Sequence, residues 1–166
     1  MSYEINVIVI KQKEPVHIAN LSKILLQNET ENIGVKRYAE IWPFFSNTPG
    51  ILYSLVTEIN EDCFSALKIC DSDFEIIPKD DSFQWISEDI KENLTPFIVN
   101  DKFYDEFVNI VCYLLESAPH KRILFQTRYQ GGDEEVVLGV VKMKHFLDML
   151  SNKQILFNVC YIIEMD

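Results

Sequence analysis

The closing segment of the chain, residues 155–163, constrains the fold most, because nearly all of its side chains are apolar. Successive side chains of a β-strand point to opposite faces of a sheet. A strand that is apolar at consecutive positions therefore needs cover on both faces, which an edge position does not provide. The segment predicts a strand in the centre of a sheet.

Further segments have the alternation or composition of strands, and two neighbouring glycines indicate how two of them are joined. Gly131 and Gly132 tolerate positive φ and predict a hairpin turn at residues 130–133. The predicted strands besides the closing one are Tyr3–Ile10, 51–56, 64–70, 74–77, Arg122–Tyr129 and 135–141.

Four segments have helical patterns, at residues 16–27, 83–94, 101–116 and 142–150. The first follows Pro15, which suits a first helical turn. The second begins after Asp81 and Gln84, which resemble a capping box. Together the elements predict one α+β domain over residues 1–166, with a mainly antiparallel sheet of about five to seven strands packed by three or four helices.

Charge limits the classes of partner. The net charge is −11, and residues 58–106 contain 14 acidic and 4 basic side chains, against 12 and 11 in the rest of the chain. A surface of this sign repels phosphate, so we expect no direct contact with nucleic acid. No apolar run approaches the roughly 20 residues of a membrane helix. The start of the chain, with Glu4 and no basic lead, predicts a strand rather than a signal peptide.

Motifs that carry chemistry are absent from the sequence. It contains no phosphate-binding loop, no serine or cysteine nucleophile signature and no metal-ligand spacing around His17, His120 or His145. We therefore expect no cofactor, no metal and no catalytic residue. Four cysteines in apolar surroundings predict buried free thiols, as in a cytoplasmic protein. They are Cys63, Cys70, Cys112 and Cys160.

The predicted helix at residues 83–94 offers the most informative surface. At 100° per residue its apolar side chains form one stripe, and a tryptophan with three acids falls on the opposite side. Tryptophan is enriched at binding hot spots, and carboxylates around it would steer a basic partner. The alternative is a solvated helix face whose tryptophan covers a neighbouring loop. The candidate partner-binding residues are Trp85, Glu88, Asp89 and Glu92, with Asp80 and Asp81 just before the helix.

The last third of the chain resembles a known family. Its stretches 117–126, 128–139 and 155–163 are similar to small bacterial immunity proteins of polymorphic-toxin and contact-dependent growth inhibition systems. The similarity covers residues 117–163 and involves strands and a turn rather than active groups. It implies an antidote in the bacterial cytoplasm that binds a cognate toxin domain and occludes it.

Composition and resemblance lead to one expected function and two alternatives. The expected function is non-covalent neutralisation of a basic, nuclease-like toxin domain by a protein that is not an enzyme. The first alternative is an acidic adaptor or regulatory domain with another protein partner. The second is an enzyme whose carboxylates converge from scattered positions, which requires a concave pocket with desolvated acids.

Overall fold

The computed structural model describes residues 3–29, 50–60, 63–66, 68–71, 95–129 and 137–166. Within these residues, segments with alternating apolar side chains form strands. The strands are β1 Tyr3–Ile10, β2 Leu25–Glu29, β3 Gly50–Asn60, β4 Cys63–Ser65, β5 Arg122–Tyr129, β6 Val137–Lys142 and β7 Val159–Glu164. In the same residues the helices are α1 Tyr104–Ser117 and α2 Met143–Ser151.

The strands form one sheet in the order β2-β3-β1-β5-β7-β6, with β4 paired to β3 beside this path. Its pairs are antiparallel except β6 with β7, which run parallel. The predicted α+β class with a mainly antiparallel sheet is thus confirmed. The described residues contain two helices, fewer than the three or four predicted. The predicted strand at 74–77, the turn at 130–133 and the helix at 83–94 lie outside these residues.

The helices pack on one face of the sheet, where apolar side chains of β1, β3, β5 and β7 meet them. Phe125 on β5 is at the centre of this core and has no exposed surface. Its ring centroid lies 5.9 Å from that of Phe107 on α1 and 5.2 Å from that of Phe146 on α2. Contacts of this kind, edge to face, suit the quadrupole of aromatic rings. They fix both helices on the same side of the sheet.

The expected helix at residues 16–27 is wrong. The segment is an irregular loop that leads into β2, with Asn20 in the left-handed conformation at φ 66°. The amides of Ser22, Lys23 and Ile24 donate to the carboxylate of Glu106 instead of to helical carbonyls. These amides are thus bound by a side chain more than 80 residues away in sequence, and the local helical pattern does not produce a helix.

The expected hairpin between β5 and β6 is also wrong, because β7 lies between these two strands. A parallel pair needs a crossover connection, and α2 supplies it between β6 and β7. The prediction that the closing segment occupies a central position is confirmed, since β7 pairs with β5 on one side and β6 on the other. Its regular part is shorter than predicted and begins at Val159.

The segment predicted as a strand at residues 64–70 is divided. β4 ends at Ser65, and Cys70 forms an isolated antiparallel bridge with Val99. All four cysteines are free, as expected, but Cys63 is exposed and Cys160 is the one that is fully buried. Among the described helices, neither is long and apolar enough to cross a membrane.

Candidate functional site

The partner-binding residues expected from sequence, Trp85, Glu88, Asp89, Glu92, Asp80 and Asp81, lie outside the described residues. The described part of the chain offers two other arrangements of polar side chains. One is a groove between the start of α1 and the end of α2. The other is a row of polar side chains across the sheet face opposite the helices.

The first arrangement, the α1–α2 groove, has a volume of about 420 Å³. This is within the roughly 300–1,000 Å³ typical of ligand pockets. Val99 and Leu150 are buried at its base, with exposed fractions of 6% and 4%. The described residues that line it are Asp71, Ile98, Val99, Asp101, Tyr104, Leu150, Ser151 and Lys153.

Backbone pairing brings the two acidic sides of the groove together. The amide of Asp71 donates to the carbonyl of Ile98 at 2.8 Å, and the amide of Asn100 donates to Ile69 at the same distance. These bonds flank the bridge between Cys70 and Val99. Asp71 and Asp101 therefore line one groove although 30 positions separate them in sequence.

Asn100 fixes the Asp71 carboxylate. Its side-chain amide donates to Asp71 Oδ2 at 2.9 Å, while its Oδ1 accepts from the backbone amide of Lys102 at 2.9 Å. One side chain thus connects the groove carboxylate to the backbone that leads into α1. Asp71 is held in place before any ligand arrives.

The described residues of the groove carry a net negative charge. Asp71, Asp101 and Lys153 are all exposed, so among these lining residues two negative groups and one positive group face the solvent. α1 begins and α2 ends at the groove, so their dipoles contribute opposite signs and the side chains decide the balance. Burial, followed by the charge of Asp105, raises the pKa of Tyr104, which keeps its phenol protonated. The groove can bind a cation or a hydrogen-bonding group.

The second arrangement, the polar row, is set by strand register. Ser54 on β3, Asn6 on β1, Gln126 on β5 and Cys160 on β7 are cross-strand neighbours. The hydroxyl of Ser54 donates to Asn6 Oδ1 at 2.9 Å. The sheet thus has a continuous line of polar side chains on the face opposite α1 and α2.

An ion pair and a buried amide belong to the same polar row. The Asn6 side-chain amide donates to Glu4 at 3.4 Å, and Glu4 lies 3.9 Å from the guanidinium of Arg128. Gln126 is fully buried, and neither polar atom of its side chain has a hydrogen-bond partner among the described residues. An unsatisfied buried amide is costly to a folded protein.

Cys160 in this row is not suited to nucleophilic chemistry. Burial raises the pKa of its thiol far above the usual range, and the charge of Arg128 offsets this effect only in part. The reactive form of cysteine is the thiolate. Cys160 therefore gives the polar row no reactive nucleophile.

Neither arrangement is evident from the sequence, because Asp71 and Asp101 are 30 positions apart and no motif connects them. Asp71 directly follows Ile69 and Cys70, and Asp101 follows Ile98 and Val99 with one residue between them. An aspartate shortly after two apolar residues is too weak a pattern to predict a shared groove. Among the described residues, no group of three or more potential ligands could hold a metal ion. The three histidines are exposed and separate along the chain.

Comparisons with protein-family models, with curated protein sequences and with solved structures found no match. The class that the described residues define is an α+β domain, in which seven strands form a mixed sheet.

Proposed function

We propose that this chain is an immunity-type protein that binds a basic toxin domain and neutralises it by occlusion. The distribution of charge carries the proposal. Residues 58–106 contain 14 acidic and 4 basic side chains, whereas the rest of the chain contains 12 and 11. The acidic excess thus lies in one stretch of the sequence, and a surface rich in carboxylates attracts a basic partner and speeds its capture.

The resemblance to immunity proteins supports the same proposal from a different part of the chain. Residues 117–163 include β5, β6, α2 and all of β7 except Glu164, which together occupy the centre and one edge of the sheet. The part that resembles immunity proteins therefore belongs to the sheet and the helix α2. Antidotes that share these elements and differ in their binding segments can each be specific for their own toxin.

The groove supports binding better than acid–base catalysis. Catalysis by paired carboxylates uses at least one desolvated acid whose pKa is raised. Asp71 and Asp101 are both exposed in the groove. Exposed carboxylates of this kind attract a cation and speed its capture.

The test is neutralisation in cells. The toxin-like domain encoded directly upstream of this chain's gene is expressed from an inducible promoter, with and without this chain. We expect co-expression to restore colony formation by several orders of magnitude and the purified proteins to elute as one complex. An upstream domain that is toxic, with no rescue and no complex at micromolar concentrations, would refute the proposal.

An interface variant separates binding from folding. Replacing Trp85 with Ala and Glu88 with Gln should abolish rescue while the far-ultraviolet circular dichroism and the melting temperature stay unchanged. The matched control is Tyr113→Ala with Glu116→Gln, an exposed aromatic and an exposed acid at the same spacing on α1. Rescue should survive in the control. Rescue that survives the change at Trp85 and Glu88 would place the interface elsewhere and contradict the predicted face at residues 83–94.

A further inference from the structure

We infer that the α1–α2 groove is a subsite for a long cationic side chain, an arginine or a lysine presented by a basic protein. This inference rests on the proposed function, since it names what the groove would take from the toxin. The described residues of the groove supply an apolar base, a fixed carboxylate and one competing cation.

The apolar base fits the methylene groups of such a side chain. Val99 and Leu150 are almost completely buried beneath the groove, and Ile98 is half-buried beside them. Lysine and arginine bury their methylene stems along apolar surface while the charged head reaches polar groups. A small metal cation would gain nothing from this base, whereas an aliphatic cation gains from both parts of the groove.

The carboxylates fit the charged head. Asp71 is held by two means, a backbone hydrogen bond to Ile98 and the side-chain bond from Asn100. A side chain that is already ordered loses little conformational entropy when a ligand binds. Asp101 lines the same groove and adds a second negative group. Arginine is common among interface hot spots, where it fills pockets of this mixed character.

Lys153 is the groove's own competitor. It follows α2 with φ 58°, and its backbone amide donates to the carbonyl of Leu150 at 3.2 Å, which fixes its main chain at the rim. Its ammonium is exposed and repels an incoming cation. Removing the Lys153 charge should therefore strengthen binding of a cation in the groove. If the cation bound elsewhere on the surface, removing this charge would not strengthen its binding.

The experiment uses the full-length protein labelled with ¹⁵N and titrated in an NMR tube. The probes are the peptide acetyl-Ala-Arg-Ala-amide, its lysine analogue and its glutamine analogue. We expect amide signals of Val99, Tyr104, Ser151 and Lys153 to move with the cationic peptides at millimolar concentrations. The glutamine peptide should leave them unchanged. If one cationic peptide binds at least tenfold more tightly than the other, the head group is thereby assigned.

Variants test the assignment. The double change Asp71→Asn and Asp101→Asn should weaken binding about fivefold, the size expected from losing two solvent-exposed ion pairs. Lys153→Met should strengthen it about twofold, by the same reasoning. Glu116→Gln, an exposed acid at the other end of α1 that does not line the groove, is the control and should leave the affinity unchanged. The spectra themselves report whether each variant is folded.

Two results would overturn the inference: equal shifts with the glutamine peptide, or equal affinity in the double variant and the control. Neither depends on the toxin. If cells are rescued and the groove ignores cationic peptides, the inference fails and the proposed function stands. If the groove binds these peptides and no toxin is neutralised, the proposed function fails and the groove remains a site for cationic side chains.

Discussion

Replacing Glu106 with Gln should release the loop between β1 and β2. The Glu106 carboxylate on α1 accepts four hydrogen bonds from this loop. The backbone amides of Ser22, Lys23 and Ile24 donate at 2.7, 2.9 and 2.5 Å, and the Ser22 hydroxyl donates at 3.2 Å. Glutamine keeps one acceptor oxygen and places an NH₂ group against a donor. At least one bond is lost and the others lose their charge assistance.

The size of the effect follows from exposure. A hydrogen bond to a charged group contributes about 1.5–3 kcal/mol when it is buried. Water can replace the exposed bonds at Ser22 and Lys23, whereas the bond at Ile24 is partly buried. We therefore expect a loss of about 1–2 kcal/mol in the free energy of unfolding. For a domain of this size the melting temperature should fall by about 2–8 °C.

The effect should depend on pH, with a sign fixed by the pKa of Glu106. Burial alone would raise this pKa, but the bonds from Ser22, Ile24 and Lys23 together outweigh it and lower the pKa below 4.5. A carboxyl whose pKa is lowered on folding stabilises the protein above its unfolded pKa and loses that contribution as pH falls through the folded pKa. The difference between wild type and Glu106→Gln should be full at pH 7 and shrink below pH 4.5.

Urea unfolding followed by circular dichroism, at pH 7 and at pH 3.5, measures both quantities. The control is Asp105→Asn, which removes an exposed acid from the same first turn of α1. Both variants lose the helix-dipole contribution of about 0.3–1 kcal/mol. The difference between them isolates the hydrogen bonds to the loop. Equal losses in the two variants, or a difference that stays constant down to pH 3.5, would refute the reasoning.

Three further substitutions test the packing, each by urea unfolding at pH 7. Gln126→Met should raise the free energy of unfolding by about 1–3 kcal/mol, because it removes a buried amide without partners among the described residues; a loss of stability would show that the amide is satisfied. Tyr161→Phe should cost about 1–3 kcal/mol, because its hydroxyl accepts from the buried amide of Leu156 at 2.9 Å, and an unchanged stability would contradict that bond. Gly50→Ala should lower the free energy of unfolding by about 1–3 kcal/mol, because a Cβ there would lie 2.8 Å from a carbonyl oxygen of β1. An unchanged free energy would mean that β1 and β3 can move apart at this position without cost.

The sequence by itself determined the elements whose pattern is local and strong. Strand-like patterns predicted β1 and β5, a helical pattern predicted α1, and continuous apolarity placed β7 centrally. These predictions held because the side chains that decide them lie within one element and face one core. The sequence also determined the overall charge and its concentration within residues 58–106.

The tertiary structure alone decided features that depend on distant partners. Glu106 gathers three loop amides, so residues 16–27 do not form the helix that their spacing favours. β7 enters between β5 and β6 because its apolar faces gain more burial there than at an edge, which no turn motif could indicate. The groove exists because the bridge between Cys70 and Val99 joins segments that only folding brings together. The physical reason is common to all three: a local pattern fixes what a segment can bury, and the choice among partners is made by contacts from the rest of the chain.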